Sequence, residues 1–330
     1  MGDAVRVPKF KLQYESQDIT EDVVPYVLSI AYTDRLHASS SELDISMEDR
    51  LLRWIDPWYP EKGDRLNLEL FYEQSFDKLD CGRFEVDDIE FTGPPDIISL
   101  GALATDIKLN LREVRTKAYE NTTLKKIAEE IAARHSLELV GEIRDLTFER
   151  ITQNEETDLN FLNKIADDYG QIVKIENGKL IFYNWTDLEA QDSVITLNRS
   201  TISRYTFRDK AVGTYKACEI QYQDAQKKET ITHTEPATPP REDGDILKIR
   251  ERVENRQQAV ARAREALRRA NGSQVEATIS LEGAPIFVGG ININIEQMGA
   301  LSGKYQVLEA MHSLTSSQGW TCELKCRRIS

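Results

Sequence analysis

The sequence predicts an α+β protein, mostly β, in which strand-rich first and last thirds flank a small α/β segment. Three observations carry this reading. Period-two alternation of apolar and polar residues runs through Arg65–Tyr72 and Phe84–Phe91. Helical spacing begins only after about residue 109, beside a hairpin pattern. Alternation then returns at Cys218–Tyr222 and at Trp320–Cys326.

In the first segment, about 1–108, Leu66, Leu68, Leu70 and Tyr72 alternate with Arg65, Asn67, Glu69 and Phe71. Phe84 and Val86, then Ile89 and Phe91, alternate with a one-residue slip of phase. A β-bulge near Asp87 and Asp88 would produce that slip. Gly93-Pro94-Pro95 ends the strand, because two prolines cannot continue a ladder.

The second segment, about 109–200, is read as an inserted α/β domain. Leu124, Ile127, Ala128, Ile131 and Ala132 form a helical stripe after Asn121-Thr122-Thr123, a capping sequence. A second helix carries Leu159, Leu162, Ile165, Ala166 and Tyr169, with Asn154 as the expected cap and Gly170 as the stop. QIVKIENGKLIFYNW reads as a hairpin turning at Asn177-Gly178.

In the third segment, about 201–330, Cys218, Ile220 and Tyr222 share a face. THTEPATPPREDGD reads as an exposed loop or linker. A long helix is expected at about 246–271, with Ile246, Ile249, Val253, Val260, Ala263, Leu267 and Ala270 as its stripe and Arg256 breaking the series. Arg250, Arg252, Arg262, Arg264, Arg268 and Arg269 flank it. Such a helix packs on its own β-domain, or meets nucleic acid, membrane headgroups or an acidic partner, including a second copy of the chain.

The charge is uneven. Residues 1–110 hold 23 acidic and 11 basic side chains, whereas residues 246–271 hold 3 and 8. The acidic first third argues against duplex binding there, since phosphate neutralisation needs Lys and Arg. The beginning, MGDAVRVPKF, has no apolar core of the kind a secretory signal needs. No stretch approaches the ~18 apolar residues that span a bilayer, so no stable membrane insertion is expected.

Catalytic, cofactor-binding and metal residues are not expected. His37, His135, His233 and His312 are scattered. Cys322 and Cys326 share a strand face with Trp320 and Leu324, so both read as small core hydrophobes. Their separation along a strand, roughly 13 Å, excludes a disulfide. No GxGxxG, GxxxxGK[ST] or GxSxG motif occurs, and Gly289-Gly290 reads as a turn. The acid pairs Asp87-Asp88, Glu129-Glu130 and Asp167-Asp168 are the remaining catalytic candidates, and adjacent acids mostly point apart into water.

Five passages, in order, resemble the late control protein D family, the baseplate hub proteins of contractile-tailed phages. They are DITEDVVPYVLSIAYTDRLHASSSELDISMEDR with WYPEKGDRL, CGRFEVDDIEFTGPPDIISLGALAT, TLKKIAEEIAARHSLEL, ITQNEETDLNFLNKIADDYG, and GKYQVLEAMHSLTSSQGWTCELKC. The chain is more distantly similar to the hub portion of type VI secretion spike proteins. The stretch about 225–272 departs most from the pattern.

The resemblance implies two tube-like β-barrel domains, at 1–108 and 201–330, with the small α/β domain at 109–200 inserted between them. It implies a non-enzymatic homotrimer, a symmetry adaptor that joins a hexameric tail tube to a trimeric spike and lines the central channel. Implied partners are the tail tube protein, the spike protein, other baseplate proteins and the tape measure protein, with no specific nucleic-acid binding and no cofactor. The implied location is the tail baseplate of a phage or tailocin-like injection particle, assembled in the bacterial host cytoplasm. The alternative is a tail-associated peptidoglycan hydrolase.

Overall fold

The computed structural model describes residues 6–37, 40–104, 113–176, 178–210, 214–224, 229–238, 240, 242–250, 253–272 and 274–329. The first β-rich part comprises β1 (Pro8–Tyr14), β2 (Gln17–Asp18), the one-turn helix α1 (Thr20–Val23), β3 (Val27–Arg35), β4 (Glu42–Glu48), β5 (Arg65–Tyr72), β6 (Lys78–Thr92) and β7 (Ile97–Ala104). Alternation decides which faces are inside: Leu66, Leu68, Leu70 and Tyr72 are all buried on β5. On β6 the register against β7 shifts between Val86 and Asp88. The extra residue is the expected bulge, and it returns Ile89 and Phe91 to the face that packs on the core.

The middle part comprises β8 (Val114–Thr123), α2 (Leu124–His135), β9 (Glu138–Gly141), β10 (Thr147–Thr157), α3 (Asp158–Asp168), β11 (Gln171–Glu176), β12 (Lys179–Asn184) and α4 (Trp185–Ala190). The Thr123 hydroxyl accepts the Lys126 N–H and starts α2, whose expected apolar stripe is entirely buried. For α3 the cap is Thr157, which accepts the Asn160 N–H, and not Asn154. Asn154 lies inside β10, whose pairing with β8 runs on to Thr157, so no helix has begun there. Gly170 follows α3 at φ +75°, a left-handed stop that favours glycine. The β11–β12 hairpin forms in the expected register; Gly178 lies in its turn, and Asn177 lies outside the described residues.

The last part comprises β13 (Ser193–Asn198), β14 (Arg204–Asp209), β15 (Tyr215–Asp224), β16 (Glu229–Pro236), β17 (Asp245–Ile249), α5 (Arg256–Gly272), β18 (Val275–Glu282), β19 (Asn292–Glu296), β20 (Gly303–Thr315) and β21 (Gly319–Arg328). The long helix therefore begins at Arg256, not near residue 246. Ile246 and Ile249 belong to β17, which pairs in parallel with β15. The Asn255 side chain accepts the Gln258 N–H, and this cap stops the helix extending backward. Part of the expected loop, Thr232–Pro236, is strand paired to β15. The backbone of Tyr222 is in β15, while its side chain and Arg252 lie outside the described residues.

One sheet runs through both β-rich parts in the order β14-β18-β21-β20-β3-β4-β7-β6-β5-β1-β2, with β13 joined through β19 to β20. The joint is β20 against β3, from Glu309↔Arg35 to Thr315↔Ser29. Among the described residues this sheet does not close on itself. It carries two cores: Leu12 to Ala102 with Leu314 and Trp320 in one, and Leu197 to Cys326 in the other. A separate core fills the middle part. α5 lies on neither core of the large sheet; it covers the sheet β16-β15-β17 through Cys218, Ile220, Val253, Ala259, Ala263 and Leu267. No helix among the described residues is long and apolar enough to cross a membrane.

Candidate assembly surfaces

Between β4 and β5, in the sequence LLRWIDPWYP, Leu51, Leu52, Ile55, Trp58 and Tyr59 are exposed while Trp54 and Pro60 are buried. Asp49 is buried, and its carboxylate accepts N–H groups from Arg53 at 2.8 Å, Trp54 at 3.3 Å and Ile55 at 3.3 Å. Trp54 is buried in the first core, and Trp58 meets it edge to face at 5.7 Å. The Arg53 guanidinium lies 4.9 Å over the Trp58 ring, and Tyr59 stacks on Phe91. Leu51, Leu52, Ile55 and Tyr59 each keep more than half of their surface exposed. Large apolar groups exposed in this way form a candidate interaction face. At the tip between β5 and β6, Phe76 is fully exposed.

The parts of the fold are locked together by buried charge. The guanidiniums of Arg268 and Arg327 each lie 4.6 Å from the ring of Trp185, at the start of α4. Glu189 accepts from Arg268 at 2.9 Å and also from Arg327. Burial, and then the neighbouring Arg268 charge, lower the Arg327 pKa despite Glu189. For Arg268 burial pulls the same way, but Glu265 and Glu189 outweigh it and leave its pKa raised. Nearby, Asp34 accepts from Ser41 at 3.1 Å, Lys174 at 3.2 Å and the Gly289 N–H at 2.8 Å. Gly289 must be glycine, since a Cβ there would meet the Leu36 nitrogen at 2.7 Å. That turn thus binds a carboxylate of its own chain.

Four arginines of the basic helix pair within the chain, while Arg256 at its start is exposed. Arg262 pairs with Asp168, Arg264 with Glu235, Arg268 with Glu189 and Glu265, and Arg269 with Asp167. Arg250 is exposed in the stretch before α5. These pairs favour the self-packed reading of the helix over a nucleic-acid face.

The pairs Glu129-Glu130 and Asp167-Asp168 serve as ion-pair partners. Asp167 also accepts from His37 at 2.6 Å, and Glu130 takes both Lys117 and Arg134. Asp87 and Asp88 sit exposed at the bulge. Among the described residues no group of three or more His, Cys, Asp or Glu is placed to hold a metal.

Two histidines have chemistry that the sequence did not signal. His135 Nε2 lies 2.8 Å from Asp158, which also takes Arg134 and Gln153. Burial alone would raise the Asp158 pKa; these three hydrogen bonds outweigh it and lower it. The pair is sealed from solvent, so it joins α2 to α3 and does not face a substrate. His312 Nε2 donates to the Phe287 carbonyl at 2.7 Å, while Nδ1 accepts from Trp320 at 3.1 Å. That pattern is the neutral ring, and burial pushes its pKa down to about 4. Cys322 and Cys326 are buried free thiols whose pKa values burial raises, as core hydrophobes should be.

Against known proteins, the chain is 32% identical over 177 residues to the probable baseplate hub protein of Escherichia phage 186, covering 53% of this chain and 44% of that protein. It is 28% identical over 219 residues to the probable baseplate hub protein of Escherichia phage P2, covering 63% and 54%. The chain is similar to phage baseplate hub proteins. It spans about half the length of these curated relatives. No protein-family model matches it. The fold is that of the 43 kDa tail protein of prophage MuSo2 from Shewanella oneidensis, with TM-score 0.72, 14% identity and coverage of 97% and 98% of the two chains. The tail protein from Neisseria meningitidis MC58 is equally similar, with TM-score 0.72, 12% identity and coverage of 98% and 97%. The Escherichia coli c3393 protein, a component of the type VI secretion system, matches 97% of this chain and 77% of its own with TM-score 0.62 and 12% identity. The resemblance read from the sequence to hub proteins of contractile tails thus holds.

Proposed function

We propose that the chain is a structural, non-enzymatic baseplate hub of a contractile phage tail or tailocin-like injection particle. It acts as a homotrimeric symmetry adaptor between a hexameric tail tube and a trimeric spike, and lines the central channel. The observation that carries this reading is the identity to the two named baseplate hub proteins. The fold supports it physically. Two β-rich parts, each around its own core, share one sheet through the β20–β3 joint. Two such β-rich units per subunit, completed as tube-like barrels in the trimer and taken three times, would offer six comparable seats to a hexameric ring. The domain scheme of 1–108, 109–200 and 201–330 belongs to the same proposal.

The apolar face at 51–59 and the exposed Phe76 are the surfaces through which such a subunit would meet its copies and the tube, spike, tape measure and other baseplate proteins. The location is the tail baseplate, with assembly in the host cytoplasm. Native mass measurement of the purified protein, alone and with a co-expressed spike, is expected to give three copies. A tight dimer in both samples overturns the proposal. Release of peptidoglycan fragments that a single carboxylate substitution abolishes would favour a hydrolase instead.

A further inference from the structure

Lys210 and Gln274 face each other at the end of the β14–β18 ladder. Asp209↔Val275 is the last register pair, and beyond it the Lys210 N–H donates to the Gln274 carbonyl at 2.9 Å. With a short turn in place of the residues between them, β14 and β18 would form an ordinary hairpin of the large sheet. The chain instead leaves that sheet at Lys210 and rejoins it at Gln274.

The stretch between these two points is self-contained. β15, β16 and β17 pair with one another and, among the described residues, with no strand of the large sheet. α5 covers them through a core drawn wholly from this stretch, between Tyr215 and Leu267. Asn271, near the end of α5, ties the unit to its own beginning. Its side chain accepts the Tyr215 N–H at 2.7 Å and donates to the Tyr215 carbonyl at 2.9 Å.

Toward the α/β part the unit presents polar groups. Glu254 accepts the N–H groups of Glu149 at 2.7 Å and Arg150 at 3.1 Å. The Gln257 and Gln258 amides donate to the Asp145 carbonyl at 2.7 Å and the Thr147 carbonyl at 2.6 Å. Arg262 and Arg269 pair with Asp168 at 3.1 Å and Asp167 at 3.6 Å, at the end of α3. Among the described residues Ala261 is the one apolar side chain of the unit that packs on the middle core.

We propose that the stretch between Lys210 and Gln274 is a separable brace. It folds around its own core, opens as one piece without disturbing the large sheet and, while docked, holds β10 and the end of α3 in place. An apolar seam would merge two cores into one, whereas polar groups can exchange their partners for water, so bodies joined by them can part and redock. The adjacent ends let the unit open without pulling on β14 or β18. The inference is independent of the hub assignment, since it uses no surface invoked there.

Native-state hydrogen exchange on the full chain, in rising urea below the unfolding transition, tests this. Amides of β15 and α5 should open together in a step below global unfolding, and those of β10 and the end of α3 should lose protection with them. Amides of β18, β20 and β21 should stay protected through that step. Leu267→Ala hollows the core of the unit and should speed exchange in β15, α5 and β10 by about tenfold or more, leaving β18 and β21 unchanged. Arg262→Ala combined with Arg269→Ala cuts the seam and spares that core, so β10 and α3 should exchange faster while β15 keeps its protection. Opening of the unit only together with the large sheet, or failure of Leu267→Ala to fold, overturns the proposal by showing that the unit is not separable. Unchanged protection of β10 and α3 in both variants also overturns it, by showing that the unit braces nothing.

Discussion

At the scale of single residues, His312 couples the two halves of the large sheet to pH. It sits on β20 where that strand pairs with Tyr32 of β3, and its ring stacks on the Tyr32 ring. Facing it are Trp320, Cys322, the Phe287 carbonyl and, at longer range, Asp34. Its folded pKa of about 4 lies below the usual 6.5, so between those values the unfolded chain binds a proton that the folded chain refuses. Stability therefore falls as pH drops through that window, by about 3 kcal/mol in total for this group. Denaturant titrations at pH 7, 5.5 and 4.5 should show this slope, and His312→Gln should flatten it. Asp158 and Glu309, whose pKa values are held low, lose their stabilising contribution only at lower pH.

Glu189 is the second residue with a clear expectation. Glu189→Gln leaves Arg268 and Arg327 facing each other around Trp185 with less compensation, and should destabilise the fold by about 3 kcal/mol in a urea titration. An unchanged midpoint would refute the importance of that charge cluster.

At the scale of elements, the loop between β4 and β5 shows how one buried carboxylate organises a surface. Asp49 is an ordinary acid in the sequence. In the fold it replaces the hydrogen bonds that a helical turn would give to Arg53, Trp54 and Ile55. Asp49→Ala should cost about 2 kcal/mol and open the segment 50–59 to limited proteolysis, while Asp49→Asn should protect it partly. Cleavage that does not change on removing the carboxylate would show that Trp54 alone holds the loop.

The helices show what periodicity can and cannot convey. The stripe of α2 was legible because its cap, Thr123, directly precedes its first buried residue. The start of α5 was not. Ile246, Ile249 and Val253 happen to fall at helical steps, yet the first two are a strand, and only the Asn255 cap and the pairing with β15 reveal the boundary. Asn154 misled for a related reason: a residue that can cap a helix is equally content in a strand that runs up to one.

At the scale of the whole molecule, a trimer is the expectation that matters most, checked by the native mass measurement described above. The alternation of β5, the bulge of β6, the apolar stripe of α2 and the strand face of Cys322 and Cys326 could all be read from local sequence. Each depends on which residues within about ten positions must be hidden together. The sequence by itself settled that the chain is mostly β, that an α/β part interrupts it, and that its residues resemble those of tail hubs. Only the tertiary structure decided that β20 pairs with β3, that α5 lies on a small sheet of its own, and that Arg268, Arg327 and Glu189 converge on Trp185. Those contacts join residues far apart in the chain. Local spacing records which face of an element is apolar, and not which distant element will cover it.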